Sequence, residues 1–232
     1  MVALPVTLWL PEALRVREAG NLSAEILRVD AKLPEAETLR YAAHFLERGS
    51  VIEIPTDTVY GLAADPFNLA AVDEIFRLKG RPDERGLPLL VNSLEQAEML
   101  TRGAPENFLK LAKAFWPGAL TLIVEASHRV PLKVTANTGR LAVRWPRSAV
   151  VKGLIAEFDG PLTGTSANIS GHPACTNADD VFLQLGERLP LLLDAGETGV
   201  ALPSTIVELR GDIWKFLRVG GISAAEIEQA LS

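Results

Sequence analysis

A single cysteine, Cys175, in a chain of 232 residues leaves no internal disulfide and no thiolate metal cluster. The three histidines, His44, His128 and His172, lie far apart, so no metal-ligand spacing is visible either. No apolar run reaches a membrane span; stretches such as "AVVKGLIAEF" fall well short. The opening "MVALPVTLWLPEALRVREAG" lacks the basic leader of a secretory signal, so the expectation is a cytoplasmic protein without membrane contact. Base is not in excess: 23 Lys and Arg stand against 29 Asp and Glu, a formal charge of −6 at pH 7. That balance argues against a general coat for nucleic acid. The sequence contains neither G-x-x-x-x-G-K-[ST] nor G-x-G-x-x-G, which removes the P-loop and the dinucleotide fingerprint. "GTSAN" lacks the second glycine of a nucleophile elbow, and no histidine has an evident role beside Ser166, which disfavours serine hydrolase chemistry.

What is there suits a folded α/β protein, with 48% apolar and 22% charged residues. Residues 1–33 read as an N-terminal extension of mixed character, in which "VTLWL" and "AEILRVD" could each add a strand. Residues 34–232 read as one domain without a Gly/Ser linker or internal repeat. "PEAETLRYAAHFLERG" predicts a helix with Pro34 near its start and Gly49 as its stop. Asn68 caps a second helix, whose Leu69, Val72, Ile75 and Phe76 form a core stripe ending at Lys79–Gly80. Capping boxes are expected at Ser93 with Gln96 and at Ser223 with Glu226, and an Asn cap at Asn177. Further helices are expected over 105–115 and near 148–158. Strands are expected at Val51–Ile54, Leu87–Val91, Ala119–Ala126, Leu141–Trp145 and in "PLLLDAG", "STIVELR" and "IWKFLRV". Strands and helices alternate irregularly, and several late strands follow one another directly. A mixed-sheet α/β domain fits this better than a strict parallel Rossmann pattern.

One segment is at odds with its surroundings. "PTDTVYGLAADPFN" (Pro55–Asn68) has too many small and hydroxylated residues for a buried strand, yet is too apolar for an idle loop. It follows the strand in "SVIEI", where open α/β sheets bind ligands. Other loops combine cations with neutral hydrogen-bonding groups. "KGRPDER" offers Lys79 as a point charge and Arg81 as a planar fork. "GTSANISG" offers Ser166, Asn168 and Ser170 among glycines, while Arg144 stands near a strand end and Arg218 before a glycine pair. Ser204 and Thr205 sit in "LPSTIVE". The basic residues cluster as Arg77, Lys79, Arg81, Arg85 and as Arg140, Arg144, Arg147. Each cluster reads either as an anion site or as solvated cations at element ends.

Seven of these blocks occur in the order found in the YrdC-like family: "IPTDTVYGLAADPFN", "IFRLKGRP", "WPGALTLIV", "LAVRWP", "TGTSANISG", "PSTIVEL" and "LRVGGI". The chain resembles that family over about residues 36–226. The resemblance implies a single-domain twisted mixed sheet with flanking helices around a concave, positively lined cavity. It implies synthesis of threonylcarbamoyl-adenylate and pyrophosphate from L-threonine, bicarbonate and ATP, with Mg²⁺ accompanying the ATP and no metal site on the protein. A separate transferase complex would then move the threonylcarbamoyl group to an adenosine beside the tRNA anticodon. Carried over position by position, Lys79, Arg81, Ser166 and Asn168 match the catalytic K-x-R and S-x-N elements. Thr58, Arg144, Ser166 and Ser204 match the threonine site, and Lys79, Arg81, Asn168, Thr176 and Arg218 the ATP site. Arg85 and Arg140 depart from common residues at their positions, and either adds a phosphate contact or sits in solvent. The chain stops soon after the shared blocks, so the expectation is that the extra C-terminal domain of longer members is absent. The rival reading is a noncatalytic relative that holds RNA, tRNA included, in the same cavity. The intact K-x-R and S-x-N pairs favour the enzyme.

Overall fold

Side-chain caps begin helices at the expected positions. Asn68 accepts from the amides of Ala70 and Ala71, Asn177 from Asp180, and Ser223 with Glu226 closes a full capping box. At Ser93 only half the box forms, because the Gln96 amide oxygen takes the N–H of Asn92 instead. The computed structural model describes residues 24–80, 85–199 and 202–232. The strand expected in "VTLWL" lies outside them.

The first half of the described chain runs β1 (Glu25–Arg28), α1 (Ala36–Glu47), β2 (Ile52–Ile54), β3 (Gly61–Ala63), α2 (Leu69–Lys79), β4 (Leu89–Leu90), α3 (Leu94–Leu100), α4 (Glu106–Phe115) and β5 (Leu120–Glu125). It continues through β6 (Arg140–Arg144), α5 (Ala149–Phe158), β7 (Leu162–Thr163), β8 (Thr165–Ser166) and α6 (Ala178–Leu185). The last elements are β9 (Leu191–Asp194), β10 (Thr205–Arg210), β11 (Ile213–Arg218) and α7 (Ala224–Leu231).

These strands form two mixed sheets where one was expected. The first has the order β1-β9-β2-β3-β8 and the second β11-β10-β5-β6-β4-β7. Strand β1, from the stretch assigned to the N-terminal extension, pairs in parallel with β9. Helices α1 and α5 cover one face of the first sheet, packing Leu39, Leu46, Val151 and Leu154 against Ile52 and Ile54. Part of the Pro55–Asn68 motif does become a buried strand: Gly61–Ala63 pairs antiparallel with β2 on one side and β8 on the other. Only Pro55–Tyr60 ahead of it stays a loop.

The division into two sheets is made at one glycine. Thr163 ends β7 in the second sheet and Thr165 begins β8 in the first. Buried Thr163 stitches the joint, its hydroxyl accepting from Ala64 N and donating to Leu62 O. Between them, a Cβ on Gly164 would lie 2.4 Å from Leu90 Cγ. Gly164→Ala is therefore expected to cost about 1–3 kcal/mol by overpacking. Urea unfolding checks this, and trimming Leu90 to alanine in the same chain should remove most of the clash penalty.

Candidate functional site

The second sheet forms the floor of a cavity of about 500 Å³. Alternation along its strands places Ala142 and Arg144 of β6, Thr121 of β5 and Ile206 of β10 on the floor. Leu122, Val143 and Val207 face the core on the other side. The Pro55–Tyr60 loop, β8 and the end of α2 supply the walls.

Arg144 is held on the cavity floor by three hydrogen bonds. Only 7% exposed, it donates from Nε to Gly118 O (3.0 Å), from Nη1 to Thr58 Oγ1 (2.9 Å) and from Nη2 to Asp57 Oδ1 (2.6 Å). Burial lowers the guanidinium pKa and the Asp57 charge pulls it back up. Thr56 braces the wall, accepting from Thr58 N and donating to Val59 O. Tyr60, in the same motif, faces away from the cavity: its buried hydroxyl donates to Gly196 O and accepts from Ala195 N.

Opposite Arg144 stands Arg218. Its Nε donates to Ser204 O (2.9 Å) and its Nη2 to Ser204 Oγ (3.1 Å), while Ser204 Oγ also bonds the Thr121 hydroxyl at 2.8 Å. Burial, then the nearby Arg144 charge, lowers the Arg218 pKa. Two guanidiniums lining one cavity, the charge of Arg144 disfavouring that of Arg218, mark a place for anions.

The third wall is the loop after β8. Lys79 Nζ donates to the carbonyls of Ser166 and Asn168, the latter at 2.8 Å, and Ser170 N donates back to Lys79 O. The Asn168 amide nitrogen spends both hydrogens on Ile169 O and His172 O, and its Oδ1 is buried without a hydrogen bond. Gln184 fastens the loop from outside through Ile169 N and Pro173 O. Burial, helped by the Asp180 charge, pushes the Cys175 thiol up to about 11, so the one cysteine is not a nucleophile at neutral pH.

Thr58, Lys79, Arg85, Arg144, Ser166, Asn168, Ser204 and Arg218 thus come together from seven separate stretches of chain. Arg81 lies outside the described residues. Thr176 does not line the cavity; its carbonyl accepts from Thr198 N. Arg140 is a correction. It shares a face with Ala142 and Arg144 but lies four residues away, about 13 Å along the strand. There it pairs with buried Glu208 at 3.4 Å and donates to Leu209 O, so it serves the sheet and does not line the cavity. Sequence reasoning missed Asp57 and Thr121. Asp57 stands in the quoted motif, but its partner lies 87 residues away, and only the sense that a buried arginine needs a carboxylate points to it.

The Sua5/YciO/YrdC family model, described as "Telomere recombination", matches residues 44–220. The threonylcarbamoyl-AMP synthase of Pyrococcus abyssi is 37% identical over 206 residues, 89% of this chain and 60% of that protein. The enzyme of the same name from Bacillus subtilis is 39% identical over 191 residues, 82% of this chain and 55% of that one. A crystal structure of P. abyssi Sua5 complexed with L-threonine superposes with a TM-score of 0.85 at 38% identity, covering 88% of this chain and 60% of that chain. The chain therefore spans under two thirds of the length of these relatives.

Proposed function

This chain belongs to the Sua5/YciO/YrdC family, and we propose that it joins L-threonine, bicarbonate-derived carbon dioxide and ATP into threonylcarbamoyl-AMP, releasing pyrophosphate. The observation that carries this reading is the convergence of Arg144, Thr58, Arg218 and Ser204 on one cavity. Its volume of about 500 Å³ falls in the range of small-molecule sites.

In the proposed reaction the threonine amine forms an N–C bond to carbon dioxide and releases a proton to solvent. A carbamate oxygen then attacks the α-phosphorus while the P–O bond to pyrophosphate breaks. No step calls for a covalent nucleophile, so positioning and charge neutralisation supply the catalysis. Arg144 with Thr58 receives the amino acid, its guanidinium already fixed by Asp57 and Gly118 O. Arg218, still protonated despite its lowered pKa, offsets phosphate charge. Lys79 holds the Ser166–Asn168 loop in shape from beneath. Among the described residues no cluster of three His, Cys, Asp or Glu could hold a metal. Mg²⁺ would enter on the triphosphate, as that ion commonly does, and screen its charge. The product would pass to a separate transferase complex acting on tRNA in the cytoplasm. No helix among the described residues is long and apolar enough to cross a membrane.

Incubation with threonine, bicarbonate, ATP and Mg²⁺ should yield the mixed adenylate and pyrophosphate. Because a site built to bond a hydroxyl rejects an analogue lacking it, valine should support at least about a hundredfold less pyrophosphate release than threonine. Serine should fall between. Tight tRNA binding with no pyrophosphate would replace this reading with the RNA-holding one.

A further inference from the structure

Arg218 should not face the cavity. Trp214 and Phe216 of β11 pair with Leu209 and Val207 of β10 and pack on the core side. Strict alternation would send Arg218, two residues on, to that same core side. Instead the register shifts: Phe216 pairs with Val207 but Arg218 with Ile206, leaving Leu217 as an extra, bulged residue. Ile206 lies on the cavity floor, and the bulge turns Arg218 onto it.

The chain past the bulge is locked by one side chain. Thr205, 0% exposed, donates from Oγ1 to Ile222 O (2.5 Å) and accepts from Gly220 N (2.9 Å) and Ile222 N (3.1 Å). Gly221 N adds a bond to Pro203 O at 3.0 Å. The approach is so close that a Cβ on Gly220 would lie 2.0 Å from Pro203 O. The same short segment, Ser204, receives both hydrogen bonds of Arg218.

We propose that Thr205 is a positioning residue: by clamping the Gly220–Ile222 turn it holds the shifted register that aims Arg218 into the cavity. Its hydroxyl touches no cavity space and acts only through Arg218. The consequence for ATP rests on the function proposed above; the positioning itself does not.

The test separates the two. In wild-type protein the Nε–H of Arg218, bonded to Ser204 O, should exchange with solvent at least about tenfold more slowly than that of exposed Arg28. Thr205→Val, isosteric but without the hydroxyl, should abolish that protection and shift the Arg218 resonance, while Thr205→Ser should keep both. ATP titrations should show roughly a tenfold weaker affinity in Thr205→Val, and no further loss when it is added to Arg218→Ala. Fast exchange of Arg218 Nε–H in wild-type protein overturns the proposal without any variant. So does protection that survives Thr205→Val, or losses that add in the double variant. A wild-type protein that makes no adenylate would instead count against the proposed function, and the exchange measurement would still decide the role of Thr205.

Discussion

Asp57→Ala should destabilise the protein by about 3–5 kcal/mol, far more than loss of a surface ion pair. The side chains of Arg144 and Asp57 are 8% and 14% exposed, and their 2.6 Å contact is the only carboxylate that Arg144 has among the described residues. Removing it leaves a guanidinium inside the protein, already disfavoured there by burial, with neutral acceptors alone. A double-mutant cycle in urea isolates the effect. Arg144→Met in the Asp57→Ala background should recover part of the loss, because it removes the stranded charge. Threonine-dependent pyrophosphate release should fall in both singles: Asp57→Ala leaves Arg144 held only by Gly118 O and Thr58, without its charged partner, and Arg144→Met removes it. A loss below about 1 kcal/mol in Asp57→Ala would place the pair in the solvent-exposed class and remove Asp57 from the site's support.

Glu53→Leu should act in the opposite direction and make the protein more stable. Glu53 lies in the middle of β2, 0% exposed, with neither carboxylate oxygen in a hydrogen bond. The Leu193 amide comes near without forming one of normal geometry, and it lowers the pKa only partly. Burial first, and then the Asp194 charge, hold the carboxyl well above its ordinary value of 4.5. A buried polar group left unsatisfied costs about 1–3 kcal/mol, which leucine removes. Proton linkage adds to this. An acid whose folded pKa is raised gives its full contribution below the unfolded value and loses it as pH rises towards the folded one. In that window the native state keeps a proton that the unfolded chain has released. Wild-type stability therefore falls by about 1.4 kcal/mol per pH unit from this group. Glu53→Leu has no such slope, so its advantage should be larger at pH 7 than at pH 5. Parallel pH profiles of the two proteins in urea unfolding would show that Glu53 is ionised or solvated in the fold.

Much of this architecture was legible because its signals are local. Asn68, Asn177 and Ser223 cap helices through atoms two or three residues away, and such pairs are visible in sequence. The strand β3 and the division of "PLTGTS" into β7 and β8 were not legible. Each of these strands has two or three residues, too short for a period of two to declare itself, and Thr163-Gly164-Thr165 changes sheets in the middle of what reads as one run. At the site, the residues that reach the cavity were recognisable as blocks, but their geometry was not. Arg140 and Arg144 are equivalent in the sequence, yet one pairs with Glu208 and the other with Asp57, each contributed by a distant strand or loop. The facing of Arg218 depends on a bulge at Leu217 that alternation alone predicts wrongly.

The position of β9 has a consequence for the order in which the protein can be made. Residues 191–194 lie between β1 and β2, separating strands that the ribosome delivers more than 135 residues earlier. Likewise β10 closes the flank of β5, and through Ser204 and the turn behind it brings Arg218 to the cavity. An emerging chain can build helices α1 to α5 and the β5–β6 hairpin, but β1 stays unpaired and the cavity lacks a side until the last fifth is out. Such long-range closure favours slow, late assembly. Nascent chains stalled before residue 190 should be open to protease at β1, and chains carried past residue 222 should resist it.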